Sequence, residues 1–343
     1  MKFKKFVTLT ILPLLLLCSC KGKVVEEETI DFHSELQSRY LKDNAENIED
    51  YADGTKELSK PKGYEISFQN DDNQEYTIEL HSDIDNRTFT TNEASFTFNN
   101  LYLGTSYHYK VSSNNTTIKE DDFKTNYIAP RNLDVEGVTN FRDLGGHITN
   151  DGKYTKQGMI YRSARFNENN SEEALITGKG IKTVVDDLHI KAEIDLRMDT
   201  TNETGGITES VIHESVQYYN LPMTWEGDLL YVNQEEMVNL FDIISDESNY
   251  PFVFHCSIGT DRTGFVAFIL NALLDVKLEN IYRDYLFSNF GYIGGSRNSS
   301  TITNYVRRLY YFNGETLKEQ AIDYLLYIGV SQDKIDSFLS IMS

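Results

Sequence analysis

Cysteine is scarce in this chain: three in 343 residues, and two of those, Cys18 and Cys20, lie within the first twenty. The body of the chain therefore carries one thiol, Cys256, and an internal disulfide framework is excluded. Positive charge is also short, since 32 basic against 53 acidic residues leave a net charge of -21. No nucleic-acid partner is expected of such a surface, and an anionic ligand would need a local reversal of the field. There is one tryptophan, Trp225, and no internal repeat.

The opening residues, "MKFKKFVTLTILPLLLLCSC", combine a basic start, an apolar run and small residues before a cysteine. This is the pattern of a secretory signal; the apolar run is too short for a spanning helix and Pro13 interrupts it. "LCSC" resembles the bacterial lipobox, which implies that Cys20 is lipidated, that residues 1–20 are a lipoprotein signal peptide, and that the mature chain is exported and anchored to the envelope membrane. In a more oxidising compartment a lone thiol is a liability unless its reactivity is used.

Residues 21–60 are polar and acidic with weak helical spacing at Leu36, Tyr40 and Leu41, and read as an acidic tether. Residues 61–127 change to short segments rich in Thr, Tyr, Phe and Ile, separated by Asp, Asn and Gly, which predicts a small all-β sandwich. Within it "FTFNNLYLGTSYHYKVSS" (residues 96–113) resembles the fibronectin type III pattern, implying a spacer or docking module. "IAPRNL" (residues 128–133) reads as the junction. Beyond it, residues 131–343 alternate strand-like and helical runs, which predicts an α/β domain with a mostly parallel central sheet flanked by helices.

The chemistry concentrates in "HCSIGTDRTG", residues 255–264. "YPFVF" before it reads as a buried strand and "TGFVAFILNALL", beginning within it, as a core helix, so Cys256 and Arg262 bracket a tight strand-to-helix loop. Such a loop turns successive amides inward and makes a nest for an anion. Gly259 permits close approach of the chain, and Arg262 can clamp two oxygens of a phosphate. The same field acts on Cys256: helix N-termini and guanidinium groups favour thiolate over thiol and lower cysteine pKa values from roughly 8.5 to about 3.5 to 7.5. His255 points to the opposite face of its strand, so it is expected to shape the loop rather than serve as the base of Cys256.

These residues match the signature of the cysteine-dependent protein tyrosine phosphatases, and the Asp-Arg variant resembles the bacterial tyrosine/serine phosphatase family. "NFRDLGG" (residues 140–146), "GMIYRSARF" (158–166), "IDLR" (194–197) and "DYLFSN" (284–289) resemble further family segments, in the family's order. The resemblance implies that Cys256 is the nucleophile and Arg262 the phosphate clamp. It also implies that Ser257, Ile258, Gly259, Thr260, Asp261 and Arg262 bind phosphate through their amides, and that the Thr263 hydroxyl assists the departing thiolate. It implies two in-line displacements with no metal and no cofactor, acting on a phosphorylated protein or a small phosphomonoester. For the general acid, Asp261 is the first candidate and Asp195 the second, with an ion pair to Arg197 as the structural alternative. Glu226 and Asp228, beside Trp225, are further candidates. Arg142 and Asp143 are expected to pair with each other, and Arg162 either to reach an anion or to serve structure. Thr260 stands where phosphoinositide-directed members commonly carry lysine, which turns the expected substrate toward phosphotyrosine and other monoesters and leaves phosphoserine, phosphothreonine and phosphoinositides open. Two other readings remain open here: a sulfurtransferase, whose loop does not require Arg then Thr at this spacing, and a surface binding lipoprotein that only recognises phosphate.

Overall fold

The computed structural model describes residues 29–43, 47–69, 74–167 and 175–343. The signal peptide, Cys20 and the start of the expected tether lie outside the described residues.

Alternation of apolar and polar positions builds the first region. β1 (Tyr64–Ser67) pairs with β4 (Ser95–Phe98), while β2 (Tyr76–His81), β3 (Asn86–Thr91), β5 (Ser106–Ser113) and β6 (Thr116–Lys124) form an antiparallel sheet in the order β3-β2-β5-β6. In β2 the inward set is Tyr76, Ile78 and Leu80, and in β5 it is Tyr107, Tyr109 and Val111, as a period of two requires. Both sheets feed one aromatic core, where Phe98 of β4 meets Tyr109 of β5 at 5.7 Å between ring centroids.

The second region holds a five-stranded sheet in the order β10-β9-β11-β8-β7, made of β7 (Arg142–Asp143), β8 (Ile160–Ser163), β9 (Ala192–Asp195), β10 (Gln217–Asn220) and β11 (Phe252–His255). β10, β9, β11 and β8 run parallel and β7 antiparallel. Across all three sheets antiparallel pairings outnumber parallel ones, because the sandwich is wholly antiparallel. β7, β8, β9 and β11 are buried on both faces while the edge strand β10 is only partly covered, and the double burial of β11 is why "FVF" is a continuous apolar run. Phe252 and Phe254 face the larger core and Val253 the smaller one.

Helix α1 (Glu35–Asp43) precedes the sandwich, and α2 (Gly178–Lys182), α3 (Leu229–Val232) and α4 (Gln234–Ile244) follow within the second region. After β11 come α5 (Asp261–Leu273), α6 (Leu278–Leu286), α7 (Ser300–Leu309), α8 (Leu317–Ile328) and α9 (Gln332–Ile341). α5 is buried from Arg262 to Leu273, so apolar side chains on all sides suit it to the centre of the helical layer. None of the described helices is long and apolar enough to cross a membrane.

Two expectations change. Residues 29–43 and 47–60 are built into the body and do not behave as a tether: Tyr40, Ile48 and Ala52 belong to the main core, Ile30 bridges in parallel to Thr125 beside β6, and the Gly54 amide donates to Asn289 O at 2.9 Å. Glu35, Glu49, Asp50 and Asp53 are exposed while Phe32, Tyr40, Ile48 and Ala52 are buried, a division that composition averages away. The junction is likewise a packed hub. Arg131 is fully buried, donates to Leu101 O at 2.9 Å, Asn100 O at 2.8 Å and Asp143 at 2.8 Å, and lies 3.7 Å from the Tyr102 ring centroid. A buried guanidinium needs its donors and its charge matched, and residues of both regions match them.

Candidate active site

The loop after β11 carries the predicted strand-to-helix geometry, with Cys256 buried as a free thiol and α5 starting at Asp261. Its conformation is set by where its carbonyls go. Ser257 O accepts from Arg165 Nη1 at 3.0 Å, and Ile258 O from Asn140 Nδ2 at 3.2 Å. Gly259 O accepts from Asn140 Nδ2 at 3.1 Å and Arg162 Nη2 at 3.0 Å. Thr260 O accepts from the Gly264 amide at 2.7 Å. Four successive carbonyls are thus drawn outward. The amides from Ser257 to Arg262 have no acceptor among the described residues, which leaves a run of donors at the N-terminus of a helix, suited to an anion.

Gly259 is at φ +70°, and a Cβ there would stand 2.3 Å from Ser163 O and 2.6 Å from Ala164 N. The close approach expected of this glycine is therefore made to backbone at the end of β8.

The residues that hold the loop are themselves held. Asp284, on α6, accepts from Arg142 Nε at 2.8 Å and Arg162 Nη1 at 2.5 Å, all three buried. Burial pushes the Asp284 carboxyl up, and the two guanidiniums outweigh this and leave it well below the carboxylate range. Burial, with Arg162 alongside, lowers Arg142 to about 10. The expected Arg142–Asp143 pair is not made. The two side chains leave the strand on opposite faces, so Arg142 goes to Asp284 and Asp143 to Arg131. Arg162 takes the structural role.

Arg262 is also fixed. Nη1 donates to Glu203 Oε2 at 2.6 Å, Met223 O at 3.2 Å and Leu196 O at 3.4 Å, and Nη2 donates to Ser257 Oγ at 3.2 Å. Glu203 in turn accepts from the Met198 amide at 2.8 Å. Sequence reasoning missed Glu203, because a glutamate in "TTNETGG" carries no local signal distinguishing it from a solvated turn. His255 Nε2 donates to Glu193 Oε1 at 2.9 Å, and its Nδ1 lies 3.4 Å from Cys256 O. This fits a residue that shapes the strand end. Thr263 Oγ1 is buried and makes no hydrogen bond among the described residues.

The candidate acids separate clearly. Asp195 is fully buried, takes Arg197 Nη2 at 2.7 Å and the Tyr218 hydroxyl at 3.1 Å. Burial pushes it up, but His255 and Arg197 more than offset this and hold it below its usual range. Its geometry is that of the ion-pair alternative. Asp261 is partly exposed and meets Arg297 Nε at 3.1 Å. It lines an open cleft of about 750 Å³ with Trp225, Asp228, Asn304 and Arg307. Asp228 caps α3 and pairs with Arg308 at 2.8 Å, while Glu226 is exposed.

A buried thiol beside an amide nest and a fixed guanidinium, at the carboxyl ends of parallel strands, defines an α/β domain built to receive an anion at sulfur. The family model described as "Tyrosine phosphatase family" matches residues 133–339, more than half of the chain. The chain belongs to that family and is a cysteine-dependent phosphatase. Among solved structures, the core catalytic domain of the PP-IP phosphatase SIW14 from S. cerevisiae, in complex with citrate, is 17% identical over 47% of this chain and 82% of that one, with a TM-score of 0.29. A structure of the Siw14 catalytic core is 17% identical over 43% of this chain and 76% of that one, with a TM-score of 0.27. No curated protein matches.

Proposed function

We propose that the protein hydrolyses phosphotyrosine and related phosphate monoesters through a phosphocysteine on Cys256. The observation that carries this is that side chains hold the carbonyls of Ser257, Ile258 and Gly259 while the amides from Ser257 to Arg262, in the loop that joins Cys256 to Arg262, find no acceptor among the described residues. Cys256 Sγ attacks phosphorus as the ester P–O bond breaks, and the leaving oxygen takes a proton. The amides and Arg262 hold the equatorial oxygens, an electrostatic contribution of about 3 to 4 kcal/mol per donor in comparable sites. Water then breaks the P–S bond, giving its proton back to the same acid and releasing inorganic phosphate. We assign the acid to Asp261, because it is reachable from the cleft whereas Asp195 is sequestered by Arg197. The Thr263 hydroxyl serves the returning thiolate. Export, lipid attachment at Cys20 and a spacer role for a fibronectin type III-like module complete the proposal, resting on the opening residues and on the strand pattern of residues 61–127.

The test is turnover of para-nitrophenyl phosphate with a chelator present. Wild type is expected to be active, with Cys256→Ser and Arg262→Met reduced by at least about 10²-fold, the scale of losing one such donor. Undiminished turnover by Cys256→Ser overturns the proposal.

A further inference from the structure

Beside the cradle lies a second cleft of about 660 Å³. Ser257 and Ile258 of the phosphate loop form part of it, and Val138, Tyr292 and Ile293 supply an apolar wall. A further wall comes from Thr55, Lys56, Glu57 and Lys60, which precede the sandwich and lie outside the segment that matches the family.

That wall is anchored firmly. Glu57 accepts from the Tyr292 amide at 3.3 Å, from the Ser59 amide at 3.0 Å and from the Thr139 hydroxyl. Asn132 Nδ2 donates to Ser59 O at 2.7 Å, and Ser59 Oγ accepts from the Asn140 amide at 3.2 Å. Asn140 is the residue whose side chain holds Ile258 O and Gly259 O. An unbroken chain of hydrogen bonds therefore runs from the 57–59 segment to the phosphate loop.

The charges around the cleft are unequal in availability. Lys60 is committed to Asp134 at 2.8 Å, Arg165 to Ser257 O, and the Glu57 carboxylate to the bonds just named. Lys56 is exposed and makes no ion pair among the described residues. A polyphosphorylated headgroup would call for several available cations here. One cation above an apolar wall suits a ring with a single acidic neighbour.

We propose that this cleft is the recognition subsite for tyrosine-phosphorylated peptides, with the tyrosyl side of the substrate against Val138, Tyr292 and Ile293 and an acidic flanking residue at Lys56. This rests on the phosphatase reading and adds that the segment before the sandwich sets specificity. The experiment uses the full chain and three substrates: para-nitrophenyl phosphate, a phosphotyrosyl peptide flanked by glutamates, and the same peptide flanked by lysines. In Lys56→Glu, kcat/KM for the acidic peptide relative to para-nitrophenyl phosphate is expected to fall roughly five- to ten-fold, the scale of losing an exposed ion pair and adding a repulsion. The lysine-flanked peptide should improve. Tyr292→Ala should lower the ratio for both peptides. An unchanged ratio in Lys56→Glu overturns the subsite. So does a loss confined to phosphoinositide vesicles, run as a fourth arm. A wild type inert toward para-nitrophenyl phosphate would instead strike the phosphatase reading itself.

Discussion

Gly259→Ala is the sharpest single perturbation of the phosphate loop. Gly259 is in the left-handed region at φ +70°, and the added methyl would sit 2.3 Å from Ser163 O, 2.5 Å from Ser163 C and 2.6 Å from Ala164 N. Those are backbone atoms at the end of a strand paired with β11, so no side chain can rotate away to make room. The left-handed conformation costs about 1 to 2 kcal/mol for an L-residue, and overpacking a close contact costs about 1 to 3 kcal/mol. Together the penalty is about 2 to 5 kcal/mol, a large share of the ~5 to 15 kcal/mol typical of a domain. If the loop keeps its place, the melting temperature should fall by about 4 to 20 °C, taking about 2 to 4 °C per kcal/mol for a domain of this size. If the loop moves instead, Gly259 O leaves Arg162 and Asn140, the amides cease to converge, and kcat should fall roughly 10²- to 10³-fold. Calorimetry and aryl phosphate kinetics on the same preparation separate the two. A variant with the wild-type melting temperature and the wild-type kcat would refute the close approach on which the cradle argument stands.

Asp284→Asn leaves two buried guanidiniums without a counter-charge; urea unfolding should show a loss of about 3 to 5 kcal/mol, with reduced turnover as Arg162 releases Gly259 O. His147 is buried with both ring nitrogens unpartnered, and burial lowers it to about 4. The unfolded chain takes up this proton below about pH 6.5 and the folded chain resists it until about pH 4. Stability should therefore drop by about 3 kcal/mol as pH falls through that window, and His147→Phe should flatten this part of the profile; equal slopes for the two proteins would reject the assignment.

The loop was legible because its information is local. Six consecutive positions after Cys256 specify where the chain turns, where glycine is needed and where the helix begins, and an apolar strand before it and an apolar helix after it place the loop at a sheet edge. The two-region plan was legible for a similar reason, since a period of two and long apolar helices are properties of neighbouring residues. What holds the loop was not. Arg142 and Asp284 are 142 positions apart, and Arg142 had a nearer acid in Asp143. Strand geometry put Asp143 on the other face, where Arg131 needed it. Glu203 reaches Arg262 across 59 positions from a turn with no distinguishing pattern.

By itself the sequence determined the thiol, its loop, the arginine that closes it and the order of strands and helices around them. Only the tertiary structure decided which carboxylate serves which guanidinium, that Asp195 is bound to Arg197, and that residues 29–43 and 47–60 belong to the body of the enzyme. The physical reason is that backbone conformation follows from a few adjacent side chains, whereas a buried charge takes the partner that packing places beside it.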